Sequence, residues 1–354
     1  GANSYNVAVG YLSGSSVTTG VRNTLIGGLA GDAITTGSDN LVLGYNAGGA
    51  MTSAQQNTAI GVYAADAITT GTANVALGYN ALTASLDGDF NTALGYKALE
   101  DYEDGDGNGH NTAVGAKSQL NATTGEFNTS LGSLSMGAGA TTGNSNVAVG
   151  YQSGQALTSG SENITIGQGA GDALTTGTRN VAIGHAALSA EDAYGKNVAI
   201  GYLSLLTLDA GADGYNVAVG YEAGKSVTTG TANTIIGGLA GTALTTGLEN
   251  TLVGKNAGDA LTTGNENVAI GVHALSTEDT GSRNVAIGQG ALFALNTDGN
   301  SYNTAIGYNA GLSVTTGVQN TMLGGLAGAG LNIGSQNIAI GYVALYSEDG
   351  HGKN

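Results

Sequence analysis

The segment Asn180-Val181-Ala182-Ile183-Gly184 returns seventeen residues further on as Asn197-Val198-Ala199-Ile200-Gly201. The same pattern, Asn followed by three uncharged residues and Gly, occurs twenty times along the chain. The asparagines that open the repeats are residues 6, 23, 40, 57, 74, 91, 111, 128, 146, 163, 180, 197, 216, 233, 250, 267, 284, 303, 320 and 337. A short fixed period indicates one structural unit stacked on copies of itself. The sequence therefore predicts a single continuous repeat domain over residues 1–354.

The composition favours a folded chain that does not bind nucleic acid. The 354 residues include 63 Gly and no Pro, Cys or Trp, and 41% of them are hydrophobic. The net charge of −17, with only nine Lys and Arg, argues against nucleic acid or an anionic membrane as a partner. No apolar run is long enough to insert into a membrane. Because the chain starts at Gly1 without Met and stops at Asn354, where the next repeat would open, we expect an excerpt of a longer fibre.

The local pattern of each repeat predicts a short β-strand. With the Asn as position one, position four is Val, Ile or Leu in all twenty repeats. Position two is Thr, Val or Ile in every repeat except the one with Leu41. Alternation of this kind is typical of a strand, and seventeen residues have room for two short strands and two tight turns. The predicted fold is all-β: a parallel β-solenoid, or β-roll, of about twenty 17-residue coils.

The invariant Asn and Gly positions predict a structural ladder. Stacked Asn side chains can bond from one coil to the next, as they do in cross-β structures. The Gly at position five indicates a positive φ or a close approach of two backbones. The predicted ladder residues include Asn6, Asn23, Asn40, Asn57, Asn180, Asn197, Gly10, Gly27, Gly44 and Gly61.

Position three is the basis for a predicted oligomer interface. It alternates with positions two and four, which we expect to face the core of the coil, so position three is expected to face away from the core. No residue at positions two to four is charged in any repeat, and a long dry outer stripe on a soluble monomer would promote aggregation. We therefore expect burial against other copies of the chain, with an uncovered apolar stripe as the alternative. The candidate interface residues are Ala8, Leu25, Val42, Ala59, Ala182, Ala199 and Ile235.

A longer period is superimposed on the coils. Some coils end in Thr-Thr-Gly, whereas others carry acids, such as Glu191-Asp192 and Glu278-Asp279, at the matching place. A few coils are longer than seventeen residues. These features divide the chain into super-units 6–110, 111–215, 216–302 and 303–354, as expected from duplication of blocks of coils.

Two known repeat patterns resemble this one. The segments Asn57-Thr58-Ala59-Ile60-Gly61 and Asn197-Val198-Ala199-Ile200-Gly201, followed by Ala64 and Ser204, resemble the head repeat of trimeric autotransporter adhesins, which is close to N-S-V-A-I-G-x-x-S. The fuller pattern from Asn303 to Gly317 looks like the shafts of phage tail-fibre and large bacterial surface proteins. The resemblance implies a left-handed β-roll, assembled as a homotrimer, in an extracellular fibre used for attachment. The coil here is longer than in the adhesin heads.

The sequence offers one candidate metal site and no catalytic or cofactor-binding residues. Asp104, Asp106 and Asn108, followed by Gly109, match the first half of a calcium-binding loop, which places oxygen ligands at alternate positions. The twelfth position of that loop is Gly115 instead of Glu. Calcium is therefore the one candidate cofactor, and a solvated acidic loop is the alternative. The four His have no zinc-like spacing, and no phosphate-binding loop is present.

The function expected from these observations is structural. We expect a non-enzymatic shaft or head of an extracellular fibre, at a cell surface or on a virion. Its expected partners are copies of itself and an unidentified cell-surface receptor or glycan. A self-assembling subunit of an extracellular filament or sheath is the alternative. An ice-binding solenoid, based on ten Thr-Thr-Gly tripeptides, is a remoter one.

Overall fold

The computed structural model describes residues 4–103 and 109–347, which contain twenty three-residue strands and no helix. The strands are β1 (Val7–Val9), β2 (Thr24–Ile26), β3 (Leu41–Leu43), β4 (Thr58–Ile60), β5 (Val75–Leu77), β6 (Thr92–Leu94), β7 (Thr112–Val114), β8 (Thr129–Leu131), β9 (Val147–Val149), β10 (Ile164–Ile166), β11 (Val181–Ile183), β12 (Val198–Ile200), β13 (Val217–Val219), β14 (Thr234–Ile236), β15 (Thr251–Val253), β16 (Val268–Ile270), β17 (Val285–Ile287), β18 (Thr304–Ile306), β19 (Thr321–Leu323) and β20 (Ile338–Ile340). Each coil is numbered below by its strand.

Each coil contains one strand, although seventeen residues have room for two. The rest of the coil is taken up by turns that use left-handed backbone conformations. In coil 16, for example, His273, Leu275 and Arg283 have φ values of 55°, 53° and 64°. A residue in this region cannot continue a β-ladder, and it reverses the chain within a few residues.

The strands form parallel sheets within two compact units, Gly1–Thr178 and Arg179–Asn354. In the first unit consecutive strands pair from β1 through to β10, for example Thr24 with Leu41 and Ile26 with Leu43. In the second unit β11 to β20 pair in the same way. The all-β fold, with parallel stacking of coils of about seventeen residues, is therefore as predicted.

Position three lies inside the coil, so the predicted orientation of the strand was wrong. The side chains of Leu25, Val42, Ala59, Ala182, Ala199 and Ile235 are almost completely buried within their own unit. Ala8, in the first strand, is exposed. Positions two and four, which were assigned to the core, face outward and are half-buried or exposed in every described strand. Alternation fixes which residues share a face, but it does not determine which face is inside.

The coil interior is narrow, which explains why position three, the position inside, is Ala in thirteen of the twenty coils. Position nine also points into the core, and its size is complementary to that of position three. Six coils have a residue larger than Ser at position three, and all six have Gly at position nine; the pairs are Leu25/Gly31, Val42/Gly48, Thr165/Gly171, Ile235/Gly241, Leu252/Gly258 and Met322/Gly328. A Cβ on Gly258 would lie 2.8 Å from Cδ2 of Leu252. Close packing of this kind leaves no room for two large side chains.

The Gly at position five meets both conditions expected from the sequence. Gly27 and Gly44 have φ values of 137° and 136°, in the region that favours glycine. A Cβ on Gly44 would also collide with the carbonyl oxygen of Gly61 in the next coil. Any side chain here would separate adjacent coils.

Candidate functional surfaces

The Asn at position one forms a buried ladder in each unit. The backbone N–H of Asn40 donates to Oδ1 of Asn23 at 3.1 Å, and Nδ2 of Asn40 donates to the same oxygen at 3.0 Å. Nδ2 of Asn40 also donates to the carbonyl oxygen of Ala54, at the end of its own coil, at 2.8 Å. The same bonds join Asn233, Asn250 and Asn267 in the second unit. Each Asn thus closes its own coil and fixes the register of the next one.

Positions two and four of the strands form what we call the outer face. The outer face has Thr, Val, Ile or Leu at every position, and the side chains are exposed to different degrees, from half-buried Ile183 to Ile340 at 65%. For the ten strands of one unit, the spacings of about 4.8 Å and about 3.3 Å give a flat area of about 480 Å². Contiguous apolar patches of this size on soluble proteins are often interaction sites.

Aromatic rings beside the outer face pack on one another from coil to coil. The rings of Tyr79 and Tyr96 lie 5.7 Å apart at an angle of 14°, and those of Tyr202 and Tyr221 lie 5.3 Å apart at 9°. Because stacked rings cover each other's faces, their edges point to solvent. This arrangement favours packing between coils over stacking on sugar rings for these four tyrosines.

The Thr-Thr-Gly tripeptides form turns that are bonded between coils. The hydroxyl of Thr35 donates to the carbonyl oxygen of Thr52 in the next coil at 3.1 Å, and that of Thr69 donates to the carbonyl oxygen of Leu86 in the next coil at 2.9 Å. The backbone N–H groups of Thr35, Thr36 and Gly37 all donate to the carbonyl oxygen of Thr52. The first Thr of each of these tripeptides therefore has a structural role.

Glu191 and Glu278 are fully buried. Both lie at position twelve, where most coils have an apolar core residue such as Leu261. Glu278 accepts hydrogen bonds from the N–H of Gly281 at 2.6 Å and from the N–H and hydroxyl of Thr297 at 3.2 and 3.0 Å. Burial raises the pKa of the Glu278 carboxyl, and these hydrogen bonds oppose the shift only in part. A buried carboxyl without a cation partner is costly in its charged form.

In residues 4–103 and 109–347, one group of three carboxylates is close enough to share a metal ion. Oxygens of Glu191, Asp192 and Asp209 lie within 4.8 Å of one another. Asp192 and Asp209 are exposed, and Glu191 already accepts the N–H groups of Tyr194 at 3.0 Å and Ala210 at 3.4 Å. Clustered acids of this kind are common without an ion, so the group is not assigned to a metal. The calcium candidate Asp104, Asp106 and Asn108 lies outside the described residues.

A small depression in the second unit has a volume of about 240 Å³. It is lined by Leu312, Ser313, Leu326, Ala329, Gly330 and Tyr346. The lining contains no carboxylate, imidazole or ammonium group, so it supplies no acid–base pair of the type that hydrolysis needs.

The comparisons with known proteins do not place the chain in a family. No protein-family model matches it, and no curated protein is similar enough to be its relative. Within the part of the chain that the structure describes, no helix could cross a membrane. The structure itself defines the class: a parallel β-solenoid repeat protein with an Asn ladder inside and an uncharged, mainly aliphatic outer face.

Sequence reasoning missed two features that the repeats themselves record. The exchange of size between positions three and nine is visible by comparing the twenty coils with one another, and it indicates that both positions share the core. The buried acids could have been recognised from their place at position twelve, which is apolar in most coils.

Proposed function

We propose that the chain is a non-enzymatic structural part, the shaft or head of an extracellular fibre that serves attachment. The observation that carries the proposal is the outer face, which is uncharged in every described strand and has Val, Ile or Leu at every position four, in a chain with a net charge of −17. A purely solvated sheet face would carry polar residues at position four as well as the Thr residues at position two. Repetition of one coil supplies reach, and it would multiply any weak contact along the fibre.

Copies of the same chain are the proposed cover for the outer face. Acidic chains repel one another over most of their surfaces, and the outer face is a strip on which two copies can meet without opposing charges. A second copy also has the same spacing between its coils, so its side chains can interdigitate along the whole contact. We propose a homotrimer in a left-handed β-roll, as the resemblance to adhesin heads implies, but assembled through positions two and four instead of position three.

Mass measurement on the intact chain tests this proposal. Light scattering is expected to give a mass of three chains that does not change with concentration. The variants Ile183→Glu and Ile270→Glu place a charge on the outer face, and they are expected to reduce the mass to one chain or to cause aggregation. The control Thr263→Glu, at an exposed turn of coil 15, is expected to keep the parent mass. A parent mass of one chain at all concentrations would overturn the trimer.

A self-assembling filament or sheath subunit is the second candidate, and the same outer face favours it. The two proposals differ in closure, because three chains around an axis complete their contacts whereas an open polymer does not. A mass that keeps growing with concentration would support the filament. An extracellular location and a receptor or glycan partner belong to the fibre proposal, and binding of the trimer to whole cells, abolished by removal of surface glycans, is the direct test of that partner.

A further inference from the structure

Three of the four coils that are longer than seventeen residues follow a coil with a buried polar residue at position twelve. Where two coils of seventeen residues are adjacent, the N–H of position fifteen donates to the carbonyl oxygen of position thirteen in the next coil, as Gly37 does to Thr52 at 3.2 Å. Coil 17, which opens at Asn284, has nineteen residues, so the residues near its position thirteen are displaced relative to a seventeen-residue coil. The regular acceptor is then replaced by a side chain.

Glu278 is the acceptor at this junction. One of its oxygens accepts the N–H of Gly281, which is position fifteen of its own coil, at 2.6 Å. The other accepts the N–H and the hydroxyl of Thr297, which belongs to the longer coil 17. Thr297 in turn contacts the hydroxyl of Ser301. The side chain therefore connects coil 16 to the residues that accommodate the added length.

The same arrangement occurs at Glu191, and its first hydrogen bond, the one within the preceding coil, also occurs at Ser85. Glu191 accepts the N–H of Tyr194 in its own coil and that of Ala210 in coil 12, which also has nineteen residues, from Asn197 to Asn216. Ser85 accepts the N–H of Gly88, again position fifteen, in the coil that precedes the twenty-residue coil from Asn91 to Asn111. Recurrence at the same place identifies a built feature rather than an isolated contact.

We propose that Glu278 is a buried, proton-sensitive clasp that binds coil 16 to the longer coil 17. The charged groups around Glu278 do not neutralise a negative charge on its carboxyl. Asp279 is adjacent in the same coil, and Asp298 of coil 17 lies 3.5 Å from Thr280 Oγ1. From coil 15, Asp259 is held by Asn256, while Arg283 of coil 16 pairs with Glu266.

The direction of the pH effect follows from the environment. Burial raises the pKa of Glu278 above its ordinary value, with Asp279 adding to the shift. A raised pKa in the folded state contributes stability that is complete below the unfolded value of about 4.3 and is lost as the pH rises through the folded value. The junction therefore tightens in mild acid and loosens towards neutral pH.

Hydrogen exchange on the intact chain between pH 7.5 and 4.5 tests the clasp, with rates corrected for the pH dependence of intrinsic exchange. Protection of residues 278–299 is expected to rise as the pH falls, by about tenfold for each unit by which the folded pKa exceeds the unfolded one. Residues 146–161, which contain no Asp, Glu or His, are the internal control and are expected to stay constant. Constant protection in both segments would overturn the proposal.

The variant Glu278→Gln separates titration from shape. It keeps one acceptor oxygen and cannot ionise, so the pH dependence of residues 278–299 is expected to disappear while that of other segments is unchanged. Persistence of the pH dependence in this variant contradicts the proposal. If the variant fails to fold, a carbon-13 titration of the Glu278 carboxyl in the parent chain decides: a midpoint above the ordinary glutamate range supports the clasp, and one at or below it overturns the clasp.

Discussion

Coils 15 and 16 are neighbours with the same backbone, yet they fill the same interior in opposite ways. Coil 15 has a large residue at position three, Leu252, and Gly258 at position nine, whereas coil 16 has Ala269 and Leu275 at those positions. At position twelve, coil 15 has an apolar residue and coil 16 has buried Glu278. The comparison teaches that the ladder and turns determine the coil, whereas the core accepts a large side chain at position three or at position nine but not at both.

The largest expected effect concerns the ladder residue that both coils share. Asn267→Leu removes the donor to Asn250 Oδ1 and Gly281 O and the acceptor for the Asn284 N–H. With two or more buried groups left unpaired at about 1–3 kcal/mol each, we expect a loss of about 3–6 kcal/mol in the free energy of unfolding. Denaturant unfolding measures it. The exposed control Thr263→Val is expected to change stability by less than about 0.5 kcal/mol.

Moving the large side chain of coil 15 from position three to position nine tests whether these two positions share the same space in the core. Gly258→Leu in coil 15 forces a side chain against Leu252, and we expect a loss of about 2–5 kcal/mol from overpacking and left-handed strain. The double variant Gly258→Leu/Leu252→Ala has the pattern of coil 16 and is expected to recover at least half of that loss. Additive losses in the double-mutant cycle would show that the two positions do not share space.

Removing the large core residue of coil 16 creates a cavity instead of overpacking. Leu275 is fully buried, so Leu275→Ala is expected to cost about 2–5 kcal/mol through loss of burial and an internal cavity. Thermal unfolding followed by circular dichroism provides the measurement. An unchanged transition would mean that the side chain does not fill the core.

The smallest expected effect on folding comes from the outer face. Ile270 is 37% exposed, so Ile270→Ala is expected to cost about 1 kcal/mol or less in the isolated chain. Unfolding of dilute, monomeric protein is the appropriate measurement, because association would add to the effect. A loss as large as that of Leu275→Ala would place Ile270 in the core and reverse the orientation described above.

The sequence was sufficient to predict the coil, its strand and its ladder, because each rests on a residue type that recurs at every coil. Asn40 and Gly44 have few physical roles in a stack, and the structure gives them ladder bonds and a backbone approach. The orientation of the strand was not predictable by the alternation rule, because Val or Ile at positions two and four is compatible with either face. Burial of Glu278 was missed because charged residues are rarely buried without a partner.

Thiol labelling at two adjacent residues tests the central claim, that position three lies inside and position four outside. The chain has no Cys, so Ala269→Cys and Ile270→Cys each introduce a single reporter. In the native, dilute chain the thiol at position 270 is expected to react with a water-soluble reagent, whereas the thiol at position 269 is expected to stay protected until the chain is unfolded. Rapid native labelling at position 269 together with protection at position 270 would contradict the account.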